Sequence, residues 1–232
     1  MNTKKIIQII ENFAPLKTQE TWDCSGWQID LGEKDIKKVI LCLSVTENII
    51  NQAIENNFDM IIAHHPLFFV PFSLNKNIPI YSAHTNLDKA DGGTTDTLID
   101  TLGFENIQKV GDFLRFIQLE KEISLSDFII TLKDKLNIEN LRIVNNFEQD
   151  KISKIAFCAG SGADFLGEAQ KIRAQIFVTG DVKYHTALES SVIIADIGHF
   201  ESEYSVLKTI KNLLKNDIEV IIADEKSPFI NY

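Results

Sequence analysis

The chain has 232 residues, enough for one large domain or two small ones, and for a core that needs no disulfide staples. Its 44% hydrophobic and 24% charged residues are a globular composition and exclude a disordered, collagen-like or coiled-coil chain. The 23 Lys and Arg against 33 Asp and Glu leave a formal charge of −10, so the chain has no general attraction for a nucleic-acid backbone or an anionic membrane.

The N-terminal MNTKKIIQIIENF places Ile6, Ile7, Ile9, Ile10 and Phe13 at helical spacing, and Gln8 and Glu11 interrupt what would otherwise resemble a signal sequence. KKVILCLSV (37–45) is a continuous β-branched run, as for a strand buried on both faces. A helix over 46–57 follows, with Thr46 as its cap, then a strand over 59–65 that Pro66 ends. PIYSAHT (79–85) reads as a strand and GGTTDTLIDTLG (92–103) as a helix stopped by Gly103. Residues 111–121 are strand-like, and 125–137 form an amphipathic helix capped near Ser126. Strands over 141–145 and 154–160 come next, then a helix over 162–174 and a strand over 175–180. A short helix (184–191), a strand (192–198), a helix (201–216) and a closing strand (218–225) complete the chain. This alternation predicts an α/β fold with mixed sheets flanked by helices. The weakest patterning lies near 105–125, which suggests one lobe of 1–107 with 192–232 and another of 108–191.

Cys24, Cys42 and Cys158 are odd in number and far apart, so they read as free thiols in a reducing compartment. No apolar run reaches the ~20 residues of a membrane span. Together these point to a soluble cytoplasmic protein.

All five histidines follow strands. His64 and His65 end DMIIAHH, His84 ends PIYSAH, His185 follows QIFVTGDVKY and His199 follows VIIADIG. In open α/β sheets that edge is where ligands bind. Carboxylates accompany them at a spacing of four: Asp88 after His84, Asp181 before His185 and Glu203 after His199. If a helix begins at His199, Glu203 lies one turn away on the same face and suits a shared metal. Imidazole with carboxylate selects Zn, Mn, Fe or Co over Mg or Ca. The His64–His65 pair has two readings, one histidine on each of two metals, or one ligand beside a hydrogen-bonding neighbour, and spacing slightly favours the second. Gly160-Ser161-Gly162 reads as a tight turn rather than a phosphate cradle. Ser44 and Thr46 read as helix-capping residues rather than site residues, and Trp22 and Trp27 as packing.

WDCSGWQIDLG (22–32), IIAHHPLFF (61–69), YSAHTNLDKADGG (81–93), CAGSG (158–162), VTGDVKYH (178–185) and IADIGHFESE (194–203) together resemble the GTP cyclohydrolase I type 2 homologue family. The blocks keep the family's order and cover nearly the whole chain. The resemblance implies a two-lobe protomer with a dinuclear metal site between the lobes and a toroidal homohexamer. It places the metal ligands at His64, His65, Asp88, His199 and Glu203, and so favours two divalent ions per chain. Asp181 and His185 would line the pocket and transfer protons, and His84 would orient a neighbouring ligand. The implied reaction opens the guanine ring of GTP and releases C8 as formate. A non-catalytic metal-binding or regulatory protein, or a hydrolase of another substrate, is the alternative. The chain departs from the family where Cys24-Ser25-Gly26-Trp27 replaces Asn-Val-Gly-Leu and where Thr94-Thr95 follows the glycine pair.

Overall fold

In a computed structural model of the chain, residues 1–67 and 77–229 are described. Phe68 and Phe69 of the IIAHHPLFF block lie outside the described residues. The chain forms two compact units, Met1–Gly93 with Val206–Lys226, and Thr94–Ser205 with the tail from Ser227.

The first unit opens with α1 (Thr3–Phe13), β1 (Gly26–Ile29), β2 (Lys38–Cys42), α2 (Glu47–Glu55), β3 (Met60–Ala63), β4 (Ile80–Ser82) and α3 (Thr85–Lys89). The second is built from α4 (Thr94–Leu102), β5 (Gln108–Val110), β6 (Leu114–Ser124), α5 (Leu125–Leu136), β7 (Arg142–Val144), β8 (Lys151–Phe157), α6 (Leu166–Lys171), β9 (Ile176–Thr179), α7 (Tyr184–Glu189), β10 (Ile193–Asp196) and α8 (His199–Glu203). The chain then returns to the first unit for α9 (Val206–Leu214) and β11 (Glu219–Ile222).

The first sheet has the order β1-β4-β3-β2-β11, with β1 antiparallel and the other pairings parallel. Strand β2 is buried on both faces, as its continuous apolar run predicts. Ile40, Ile61 and Ile80 pack against Ile49, Ile50 and Ala53 of α2. Thr46 caps α2 by accepting from Ile49 N at 3.3 Å, while α1 lies beside α9.

The second sheet has the order β5-β6-β8-β9-β10-β7, and only β8, β9 and β10 are mutually parallel. Its strands alternate between two cores. Ile155 and Phe157 face one with Ile176, Val178, Ile193 and Ala195, while Ala156, Phe177 and Ile194 face the other. A side-chain period of two across two apolar layers turns both faces hydrophobic, so these strands read as unbroken runs.

Both predicted lobe boundaries shift. Residues 94–107 belong to the second unit because α4 buries Leu98, Ile99 and Leu102 in the same core as Phe128 and Ile155. Residues 192–205 belong there because β10 pairs with β9 and β7. The helix expected over 201–216 is two helices, α8 and α9, and the break falls at the unit boundary. The cap of α5 is Ser124 rather than Ser126: its Oγ accepts from Asp127 N at 3.0 Å and donates to the Asp127 carboxylate at 2.6 Å, a reciprocal cap. Among the described residues no helix is long and apolar enough to cross a membrane.

Candidate functional site

In the first unit, three parallel strands deliver polar residues to one edge. Cys42 pairs with Ala63, and Ala63 with Ser82. Two residues further along that register stand Ser44, His65 and His84; one residue further stand Leu43, His64 and Ala83. The hydrogen bonds follow this alignment. Ser44 Oγ lies 2.7 Å from His65 Nδ1, and His64 Nδ1 lies 2.8 Å from the Ala83 carbonyl. A carbonyl only accepts, so His64 Nδ1 carries the proton and Nε2 holds the lone pair of the neutral ring. That atom faces Asp88 Oδ1 at 3.5 Å. Asp88 Oδ1 is itself buried and takes no hydrogen bond among the described residues. With the ring neutral, two lone-pair atoms face each other in a buried place, an arrangement that a bound cation or a proton on Nε2 reconciles.

The imidazoles of His64, His65 and His84 gather, with ligand-capable atoms within 4.8 Å of one another. His84 is held from behind. Its Nδ1 donates to Asp23 Oδ1 at 2.9 Å, and the Asp23 side chain is fully enclosed. Burial pushes the Asp23 carboxyl up, but hydrogen bonds from His84, Thr85 and Ser25 and the His84 charge outweigh it and hold the group well below the usual carboxylate range. Glu225 accepts from the Leu43 and Ser44 amides at 2.7 and 2.9 Å and so fixes the segment that presents Ser44. Thr46, not Ser44, caps the helix; Ser44 touches a predicted ligand.

In the second unit, β8, β9 and β10 end in register, and Gly160, Asp181 and Gly198 stand side by side beyond them. Helix α8 begins at His199, so Glu203 does fall one turn away: His199 Nε2 lies 3.0 Å from Glu203 Oε2. His199 Nδ1 lies 2.7 Å from Asp181 Oδ2. Burial alone would lower the His199 imidazole, but Glu203 and Asp181, one on each ring nitrogen, raise it to about 10. Glycines make this convergence possible. A Cβ on Gly180 would lie 2.8 Å from Gly198 C and His199 N, and one on Gly160 would lie 2.1 Å from Glu203 Oε1. The Gly160-Ser161-Gly162 segment is thus a close-packed turn.

Asp181 adopts a left-handed backbone (φ 56°), and the buried Asp196 steadies it. Asp196 accepts from Val182 N and Gly198 N at 3.2 Å each and pairs with Arg142. One carboxylate thereby ties together the loops that carry Asp181 and His199.

The model of the family described as Duf34/NIF3 (NGG1p interacting factor 3) matches residues 1–228. The chain belongs to the Duf34/NIF3 family. It is 37% identical to a Clostridium perfringens protein named GTP cyclohydrolase 1 type 2 homolog, over 99% of both chains. It is 28% identical to a Helicobacter pylori protein named GTP cyclohydrolase 1 type 2, over 94% of this chain and 98% of that one. A Staphylococcus aureus hypothetical protein of known crystal structure superposes with a TM-score of 0.90 at 25% identity, over 99% of this chain and 98% of the other.

Within this Duf34/NIF3 chain the first unit brings together His64, His65, His84 and Asp88, and the second brings together Asp181, His199 and Glu203. His185 stands apart from both groups in its contacts. It is exposed on α7, with the Tyr184 ring edge-on at 5.4 Å. Sequence reasoning missed Ser44, Asp23, Gly160 and Asp196. Asp23, Gly160 and Asp196 carried a signal, inside WDCSG, CAGSG and IADIG.

The donor set fits a divalent transition metal. Neutral imidazole nitrogens and carboxylates select such ions. His64 and His84 each have a Nδ1–H held by an acceptor behind the ring, the arrangement that orients a ligating histidine. No cysteine is among the residues of either group.

Proposed function

We propose that this chain is a dinuclear-metal-dependent hydrolase that opens the guanine ring of GTP and releases C8 as formate. The observation that carries the reading is that each unit supplies its own imidazole–carboxylate pair, His64 with Asp88 and His199 with Glu203. His64, His65, Asp88, His199 and Glu203 are the proposed ligands of two divalent ions drawn from Zn, Fe, Mn or Co. When bound, such ions supply Lewis acidity and bring a water pKa towards ~7. The chain's own groups do the rest. Ala83 fixes the His64 tautomer, Ser44 steadies His65, and Asp181 holds the Nδ1 proton of His199. Asp181 and His185, the latter exposed on α7, are the proposed proton-transfer groups.

The guanine substrate is supported by the names of the C. perfringens and H. pylori proteins. The same family resemblance supports a cytoplasmic homohexamer of six 26.2 kDa chains, which elution volume with light scattering tests directly. The deciding assay is formate release from GTP by the purified protein loaded with each metal in turn. Formate produced in proportion to bound metal is the expected result. A protein that binds two ions per chain and releases no formate with any of them is a metal-binding protein without this activity.

A further inference from the structure

We infer that Trp22 is the face on which this chain stacks the planar base of a purine nucleotide. The inference rests on the reading of the site as one that acts on GTP, and it names the residue that holds the base.

Trp22 is 59% exposed, yet the loop that carries it is tied down on both sides. Upstream, Glu20 N donates to Thr85 Oγ1 at 2.9 Å and the Glu20 carboxylate pairs with Lys89. Downstream, the enclosed Asp23 carboxylate takes hydrogen bonds from the Cys24 amide, the Ser25 hydroxyl, the Thr85 amide and hydroxyl, and His84 Nδ1. Ser25 Oγ accepts in turn from His84 N, and Gln19 Oε1 from Ser25 N. A loose loop would turn a large apolar ring inward to bury it. This loop is fixed, and it presents the indole outward.

The direction of presentation matters. The Trp22 ring meets the His84 ring at 6.0 Å and 76°, edge to face, and the His84 ring lies 5.2 and 5.6 Å from those of His64 and His65. The indole therefore stands at the rim of the histidine cluster. Trp27 is the contrast. It is partly buried, paired edge-on with Tyr81 at 5.5 Å, and belongs to β1. Trp27 packs; Trp22 does not.

An indole offers a π-face to any base, so stacking recognises a flat heteroaromatic ring without choosing between guanine and adenine. The same fixed loop spares the protein the ordering cost that a mobile aromatic would carry.

The chain has two tryptophans, so their fluorescence separates cleanly. The metal-loaded protein is titrated with GTP, ATP and inorganic tripolyphosphate while emission is followed. GTP and ATP should both quench, and tripolyphosphate should not. In Trp22→Phe the remaining Trp27 emission should not respond, while GTP affinity read by calorimetry should hold within about threefold. Trp22→Leu keeps an apolar side chain but removes the π-face, and should weaken GTP binding about tenfold or more, carried mainly in KM.

Unchanged GTP affinity in Trp22→Leu overturns the inference. So does quenching by tripolyphosphate equal to that by GTP. A Trp22→Leu protein that dissociates into smaller species with GTP affinity intact overturns it too, because the indole is then covered by a second copy of the chain. Quenching by GTP without formate release overturns the hydrolase reading alone. Formate release with unchanged KM in Trp22→Leu overturns the stacking role alone.

Discussion

Replacing Gly160 by alanine tests how tightly the second unit is built around Glu203. The added methyl would lie 2.1 Å from Glu203 Oε1, 3.1 Å from its Cδ and 3.6 Å from His199 Nε2. The backbone of Gly160 is left-handed at φ 66°, which costs an alanine ~1–2 kcal/mol by itself. The nearest atom is the end of a side chain, so the clash is relieved by swinging the carboxylate rather than moving a strand. That swing breaks the 3.0 Å contact with His199. A hydrogen bond to a charged group contributes ~1.5–3 kcal/mol. Gly103→Ala is the control: its φ is 85°, and an added methyl meets nothing within 4 Å. Urea unfolding of the metal-free proteins should show Gly103→Ala losing about 1–2 kcal/mol and Gly160→Ala losing about 2.5–5 kcal/mol. Metal affinity should fall in Gly160→Ala by at least the ~10–100-fold that disturbing a supporting group costs, and stay unchanged in Gly103→Ala. If the two variants unfold at the same urea concentration and bind metal equally well, the proposed role of Glu203 is wrong.

Glu203→Gln should retain less metal after dialysis than Asp181→Asn, because it loses a ligand charge while Asp181 only supports His199; elemental analysis of both variants decides between them. In the metal-free protein the His199 imidazole is raised to about 10, so its stabilising contribution is complete below its ordinary value of 6.5 and is lost as pH climbs through about 10. The unfolding free energy of wild type minus that of His199→Gln, followed from pH 6 to 10, should shrink with rising pH. At pH 7 metal uptake should also expel about one proton from this imidazole, measured as buffer-dependent heat in calorimetry. Asp96→Ala should destabilise the second unit by ~3–5 kcal/mol in urea, since it takes the carboxylate from the guanidinium of Arg115, which is 1% exposed, donates to Asp96 Oδ1 at 2.7 Å and also donates to the neutral Asp112 and Leu114 carbonyls.

Much of the fold is legible because its strands are buried on both faces. Residues 154–160 and 175–180 read as strands at once, since Ile155, Ala156, Phe157, Ile176, Phe177 and Val178 fill two cores in alternation. The unit boundaries are less legible. Nothing local in VIIADIG says that it pairs with QIFVTG rather than with KKVILC, and only that pairing assigns residues 192–205 to the second unit. The break between α8 and α9 was hidden too, because ESEYSVLKTIKNLLKN keeps helical spacing across the turn. Short elements such as β1 and α3 were missed, being four and five residues long.

The histidines were found from a positional rule, that polar residues just past a buried strand sit at the ligand-binding edge, and the carboxylates from their spacing of four from a histidine. What the rule could not supply is register. His65 and Ser44 are 21 residues apart and touch only because β2 and β3 align Cys42 with Ala63. Asp196 supports Asp181 and Gly198 for the same kind of reason, being the last residue of β10 where β9 has Thr179. Each two-faced apolar run stops at a particular residue, and the stop is visible in one strand read alone. Which neighbour a polar residue then meets depends on where the adjacent strand stops, and that is a property of the sheet. The single-strand reading therefore locates the edge and its ligating residue types, and the sheet decides their partners, tautomers and charges.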